Sequence, residues 1–301
     1  MALPAAALPR RISLGSRVGA YVALTKPRII ELLLITTLPT MIVAQRGLPP
    51  VRLMVATLLG GALAAGGANA INMFIDRDID KLMHRTRKRP LVTGAIAPRN
   101  ALIFAITLEV LAFVELWAWV NLLSAALAVS ATLFYVFVYT LWLKRTSSQN
   151  IVIGGAAGAV PVLVGWAAVT DSLSWTPVVL FAIIFVWTPP HFWALAVKYK
   201  DDYQAASVPM LPAVATFKRT AREILLYSVL LVGVSLLLAA VGRLGVIYIV
   251  AAAVLGVVFV ALALRLWARA TPKAAMQLFS YSITYLTLLF VFMAVDVFTK
   301  H

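Results

Sequence analysis

Three aspartates fall within five positions, Asp76, Asp78 and Asp80, at the end of the apolar run in INMFIDRDID, although the chain has only eleven acidic residues among 301. On a helix, positions four apart drift by only about 40°. Asn72, Asp76 and Asp80 therefore form one stripe, with Asn69 a turn below, while Asp78 points away as a bystander. Oxygen-only ligands at this spacing suit a hard cation such as Mg2+, which takes one or two carboxylates and completes its shell with substrate phosphate oxygens and water. The chain has no Cys and three His, which excludes thiolate sites and disulfides and argues against zinc.

A second cluster, Lys198, Lys200, Asp201 and Asp202 in KYKDDYQ, follows a later apolar run. Two carboxylate clusters brought together repel unless cations lie between them, and a metal-bridged diphosphate fits that arrangement. Arg85, Arg87, Lys88 and Arg89 of HRTRKRP are close enough in sequence to meet the remaining phosphate charge, arginine in bidentate fashion. The bland alternative is that the aspartates solvate a loop and the arginines enforce topology. Positive-inside bias needs no ligand, but carboxylates contribute little to it and are costly near hydrocarbon without partners.

Other polar residues lie at depth. Tyr139, Lys144 and Arg145 in FYVFVYTLWLKR suit either interfacial anchoring or phosphate binding. Lys26, Arg28 and Glu31 open the first apolar run, where Glu31 can neutralise Arg28 one turn away. Pro189-Pro190 should break or kink its helix. His191 follows directly; a lone intramembrane histidine is more often a hydrogen-bonded core residue, and the functional alternative is contact with a polar or iron-bearing substrate. Glu109 and Glu115 have no evident partners.

The elements that must position these residues are membrane helices. Charged residues make up 12% of the chain and the mean hydropathy is +0.95, well outside soluble composition. Apolar runs near the roughly 20 residues needed to cross a bilayer recur at 29–46, 52–74, 100–119, 122–143, 151–170, 175–197, 223–242, 244–267 and 277–298, with the break near Asn121 the shortest. With the N-terminus in the cytoplasm, 22 of the 26 Lys and Arg fall on that side, leaving Arg46, Arg52, Arg243 and Lys300 outside. Topology thus accounts for the +15 charge, and no nucleic-acid partner is expected. The reading is an all-α polytopic membrane protein of about nine transmembrane helices, with a cytoplasmic arm over 1–28 and one transmembrane domain over 29–298. The lipid bilayer of a bacterial inner membrane is its setting; a mitochondrial one fits less well, since the basic arm is short for a targeting segment. The longest connections, about 75–99 and 198–222, cap the cytoplasmic face and carry both acidic clusters.

N-x3-D-x3-D at 72–80, a Tyr…Lys-Arg segment after the fourth span and acids after the sixth resemble the UbiA superfamily of intramembrane prenyltransferases. NMFIDRDIDKLMHRTRKRPL, LKRTSSQNIVIGGAAGAVPVLVGW and WTPPHFWALAVKYKDDYQAASVPMLP look like its haem-farnesylating branch, over most of 24–215. Two departures from other members favour that branch. His191, Lys198 and Asp202 replace three spaced acids, and Tyr-x3-Lys is stretched by one residue to Tyr139 and Lys144. The resemblance implies nine helices around a central cavity that binds farnesyl diphosphate by Mg2+, and haem B as the acceptor substrate. It implies Asn72, Asp76 and Asp80 for the first metal, Asp201 or Asp202 for a second, and Asp76, Asp80, Lys198 and Asp202 in catalysis. Asn69, Asn72, Arg28, Arg85, Arg89, Tyr139, Lys144, Arg145 and His191 are then candidate substrate contacts, with His191 facing haem. Haem A synthase or terminal oxidase assembly factors are the implied partners. The rivals are prenyl transfer to a quinone or chlorin precursor, and a secondary transporter, whose ionisable residues belong nearer the bilayer centre.

Overall fold

The computed structural model describes residues 14–299, apart from the side chains of residues 14, 29 and 31–34. The first thirteen residues of the arm, and the pairing of Arg28 with Glu31, lie outside the described residues. Among the described residues every regular element is helical. Eight helices are long and apolar enough to cross a membrane: α3 (Val51–Ile75), α4 (Pro98–Trp119), a continuous rod over Leu122–Thr146, α7 (Asn150–Thr170), α8 (Trp175–Lys198), α11 (Phe217–Val241), α12 (Val246–Arg269) and α13 (Pro272–Thr299). With the 19-residue α2 (Pro27–Gln45) they match the nine expected spans in order. Large apolar side chains such as Trp117, Trp142 and Val257 are exposed on the outer surface, as a lipid-facing shell requires, and the chain is a multi-pass membrane protein.

Boundaries move where polar residues extend a helix beyond its apolar run. α11 starts at Phe217 rather than 223 because the Thr216 hydroxyl accepts from Arg219 N and caps the helix. The suspected break near Asn121 is real: its side chain accepts from Ser124 N to cap α5 (Leu122–Leu133) and donates to Ala167 O of α7. The arm also holds an element of its own, α1 (Leu14–Thr25), whose Leu24 is packed against Ala70 and Met73 of α3 and Ala101 and Ala105 of α4.

Two local features depart from the expected pattern. Pro189-Pro190 does not break α8, which runs unbroken through both prolines while packed against α7, α11 and α13. The rod over Leu122–Thr146 is not uniformly α-helical. Between α5 and the short α6 (Lys144–Thr146), residues Phe134–Leu143 form a π-helix, in which Lys144 N reaches Tyr139 O, five residues back. A wider turn brings positions five apart onto one face, so it absorbs the extra residue between Tyr139 and Lys144; π turns inside α-helices are frequent at functional sites.

α2 packs on α3, α7 and α13, and α7 and α8 pack on each other, so these helices enclose the interior. α3 and α4 approach most closely through glycines: a Cβ at Gly67 would lie 2.6 Å from Glu109 Oε1. Glu109 thereby acquires partners that its sequence does not show, accepting from the Thr132 hydroxyl at 3.2 Å. Glu115 Oε2 is buried with no hydrogen-bond partner, and nothing in the structure explains it. At one end of the bundle the 3-10 turn Ile79–Lys81, the turns up to residue 97, α9 (Lys200–Ala205) and α10 (Leu211–Val214) form a cap, whose Ile79, Met83, Tyr203, Val208 and Met210 join the main apolar core.

Candidate active site

α3 ends at Ile75 with Asp76 as its C-cap, so the stripe does not lie on an unbroken helix. The turn nevertheless continues: Asp76 N donates to Asn72 O and Asp80 N to Asp76 O, both at 2.9 Å. Four-residue steps therefore survive past the helix end. Asn72, Asp76 and Asp80 are buried, and the Asp78 side chain is 59% exposed.

Around the stripe four basic residues close in from three segments. Lys144 Nζ, delivered by the π turn, donates to Asp76 Oδ2, and Arg89 of the cap holds Asp80 Oδ2 at 2.6 Å. Arg145 grips Asp78 with two bonds of 2.7 and 2.8 Å and lies 3.6 Å from Asp76 Oδ1. Asp78 is thus no bystander: it anchors Arg145 at the rim, and that hydrogen-bonded pair holds its carboxyl well below the usual carboxylate range. The fourth, Lys26, donates to Asn72 Oδ1 at 2.9 Å. Burial, with Arg89 and Lys144 nearby, pushes the Lys26 ammonium well below its ordinary value, against the pull of Asp76 and Asp80.

Asn72 is oriented by its neighbours. The Thr140 hydroxyl gives its hydrogen to Tyr135 O at 2.8 Å, so it accepts from Asn72 Nδ2 at 3.1 Å. Nδ2 also donates to Asp76 Oδ2 at 2.8 Å, which leaves Oδ1 to face the cations. Two buried oxygens have no hydrogen-bond partner, Asp76 Oδ1 and Asp80 Oδ1. Buried polar atoms are normally paired, and an orphaned carboxylate oxygen calls for a ligand. Donors that are all oxygen, two of them unfilled and flanked by cations, fit a hard divalent ion carrying an anionic substrate.

The other expected contacts divide. Tyr139 stacks on Tyr135 at 5.4 Å between ring centres, and its ring lies against the bare backbone of Gly154. Asn69 turns away to donate to Thr25 O at 3.0 Å, steadying the α1–α2 junction where Lys26 adopts a left-handed conformation (φ 53°, ψ 64°). Such backbone is costly for a residue with a Cβ and tends to be kept at functional positions. Arg28 is exposed at the start of α2 and joins none of these pairs, and its neighbour Lys26 occupies the site instead. Arg85 donates to Tyr203 OH at 3.2 Å, and Lys198 is exposed over the Tyr199 ring.

The second acidic cluster is used differently from the sequence expectation. Asp202 accepts from His84 N at 3.0 Å and Arg85 N at 3.1 Å, one bond to each oxygen, tying α9 to the cap turn, while Asp201 is exposed. Among the described residues no group of three or more His, Asp or Glu lies close enough to hold a metal, so these acids are not brought to the first pair. Backbone amides satisfy Asp202 where a second metal was expected. Lys26 and Thr140 were not among the expected site residues. A lysine beside a membrane edge looks like topology, and a threonine in an apolar run carries no signal of its own.

A family model described as the UbiA prenyltransferase family matches residues 33–293, and the chain belongs to that family. A protein of Streptomyces avermitilis named Protoheme IX farnesyltransferase is 55% identical over 292 residues, covering 95% of this chain and 96% of the relative. One of the same name from Streptomyces coelicolor is 52% identical, over 97% of this chain and 95% of its own length. Among solved structures, a digeranylgeranylglyceryl phosphate synthase superposes with a TM-score of 0.78 at 17% identity, covering 94% of this chain and 99% of its own. A UbiA homologue from Archaeoglobus fulgidus bound to GPP and Mg2+ gives 0.64 at 18% identity, covering 91% and 99%. At those identities the structures establish the shared fold.

Proposed function

We propose that the chain transfers the farnesyl group of farnesyl diphosphate to a vinyl group of haem B, with addition of water, and so makes haem O. The names and near-complete alignment of the relatives support the acceptor and the donor chain length. The observation that carries the chemistry is the pair of buried oxygens without a hydrogen bond, Asp76 Oδ1 and Asp80 Oδ1, beside Lys144, Arg89, Arg145 and Lys26.

Asn72, Asp76 and Asp80 would hold Mg2+, which supplies charge neutralisation of the diphosphate as the allylic C–O bond ionises. Without substrate, Lys144 and Arg89 neutralise the acids; on substrate binding they turn to phosphate oxygens, already at the position where negative charge grows. Such preorganised charge usually contributes most to catalysis of this kind. The stacked Tyr135 and Tyr139 offer ring faces to the allylic cation, an attraction of about 0.5–2 kcal/mol. Attack by the vinyl group moves the positive charge to the haem side chain, and water captures it there, losing a proton and leaving a hydroxyethylfarnesyl group. Arg85 and Lys198 would pair with the haem propionates. Asp202 would act through the cap rather than through a metal. The charge asymmetry supports a cytoplasmic position for the cap end in a bacterial inner membrane.

The test is to incubate purified protein with haem B, farnesyl diphosphate and Mg2+ and look by mass spectrometry for haem enlarged by farnesyl plus water. Prenylation of 4-hydroxybenzoate or a chlorin, with haem B untouched, would remove the haem assignment and keep prenyl transfer.

A further inference from the structure

One buried group takes no part in the diphosphate site. His191 lies on α8, seven residues and so about 10 Å along the helix from Lys198, with 7% of its surface exposed. Its ring is packed by two aromatic side chains. Trp187 stacks on it at 4.2 Å between ring centres and 20° between planes, and Phe279 of α13 approaches the ring at 4.7 Å and 32°. Trp187 is itself pinned, donating from Nε1 to Ser282 O at 2.8 Å. The ring thus presents its edge and not a face.

The edge has a defined chemistry. His191 Nδ1 lies 2.7 Å from the Ser282 hydroxyl oxygen, and that hydroxyl donates to Phe279 O at 2.6 Å. A serine hydroxyl has one hydrogen. With it committed to Phe279, the oxygen accepts from His191, so the ring hydrogen is on Nδ1 and Nε2 keeps its lone pair. The opposite tautomer would take the hydroxyl hydrogen from Phe279 and leave an Nε2–H with no acceptor. Among the described residues the hydrogen bond of the ring runs through Nδ1, and none to Nε2 is formed.

A ring held by packing, with Nδ1–H donated to a second residue and a bare Nε2, is how proteins prepare a histidine to ligate a metal. The metal such a ring would meet is the iron of the acceptor substrate, and an imidazole nitrogen is a common axial ligand of haem iron. Resting on the functional reading above for haem as acceptor, we infer that His191 binds the haem iron through Nε2 and so fixes the depth and orientation of the porphyrin, with Ser282 as the residue that positions it. Bulk apolar contact alone would leave a flat macrocycle free to rotate, and a vinyl group would meet the allylic carbon only part of the time. An axial bond removes that freedom.

The experiment is a titration of the full-length protein in lipid nanodiscs with haem B and, separately, with iron-free protoporphyrin IX, followed by absorption and resonance Raman spectroscopy of the ferrous state. Wild type should show an iron–histidine stretch. His191→Ala should lose it and bind haem B about 10- to 100-fold more weakly, with imidazole restoring the ligand signal and protoporphyrin IX bound equally by both. Identical haem spectra and affinities in the two proteins would overturn the assignment. So would a matching loss of protoporphyrin IX binding, since the ring would then act by packing alone. If His191→Ala does not fold, Ser282→Ala decides: the iron–histidine stretch should move, and an unchanged stretch would count against the inference. Wild type that ligates haem B through histidine yet farnesylates only another acceptor would remove the functional reading and leave the ligand in place. Haem O formation with no histidine signature would do the reverse.

Discussion

The molecule buries aspartates at two distant places and treats them in opposite ways. Asp296 of α13 is 1% exposed, and both of its oxygens accept from backbone: Oδ2 from Gly245 N and Oδ1 from Tyr248 N at 3.2 Å, at the first turn of α12. It caps a helix from outside and leaves nothing unsatisfied. Asp76 and Asp80 are equally buried, yet each keeps one oxygen without a hydrogen bond, that of Asp76 facing Arg145 only at 3.6 Å, while a basic side chain holds the other. A carboxylate closed on backbone amides is structural, and one left half open beside movable cations is prepared for a ligand. Asp202 tests the distinction, because it sits at the cap yet has the closed pattern of Asp296.

The largest expected effect separates the two classes. Asp76→Asn keeps shape and volume but weakens the metal site, and turnover should fall about 10²- to 10³-fold, with the protein still purified folded and monodisperse; activity near wild type would discredit the open-carboxylate reading. Asp296→Ala should behave oppositely. Two buried N–H groups lose their acceptor, which costs about 1–3 kcal/mol of stability and lowers the melting midpoint, while turnover per folded molecule stays within about twofold of wild type by the same reasoning. Asp202→Ala should fall between, raising KM for the substrates roughly tenfold through a loosened cap while kcat changes little, in the sense that uniform binding is lost. A collapse of kcat instead would make Asp202 a direct participant.

The smallest effect is on pH. Asp78 is held below its ordinary value by Arg145. A depressed carboxyl adds stability that is present above its unfolded value, near pH 4, and is lost as pH falls through the lower folded value. The clamp should therefore be constant from pH 8 to about 5 and weaken below about 4, and Arg145→Ala should remove that acid dependence from thermal denaturation curves. The pair is largely exposed, so the change should be small.

Much of this was legible in the residues. Eight membrane-crossing helices among the described residues, of about nine expected, followed from apolar length, and the buried stripe with Asp78 outward followed from helical phase, because acids at a membrane edge have little reason to be there without partners. The parts that were not legible share a cause, in that each depends on a third dimension the spacing does not encode. Lys26 reaches Asn72 across 46 positions, and nothing local distinguishes it from Arg28. The five-residue step from Tyr139 to Lys144 looked like a family variation, and only a π turn makes it a shared face. Pro189-Pro190 suggested a break, but contacts from three neighbouring helices hold α8 whole. Asp201 and Asp202 looked like ligands because adjacent carboxylates usually need cations; the backbone N–H groups that satisfy Asp202 have no sequence signature.

The central claim is that open carboxylates hold the divalent ion and closed ones do not. Mn2+ takes the same kind of oxygen ligands as Mg2+ and can be followed by electron paramagnetic resonance. Its binding should be measured in the presence of farnesyl diphosphate for wild type and for Asp76→Asn, Asp80→Asn, Asp202→Asn and Asp296→Asn. The expected result is bound Mn2+ in wild type and in the Asp202 and Asp296 variants, and its loss in the Asp76 and Asp80 variants. Retention of Mn2+ by Asp76→Asn and Asp80→Asn, or its loss in Asp202→Asn, would contradict the account.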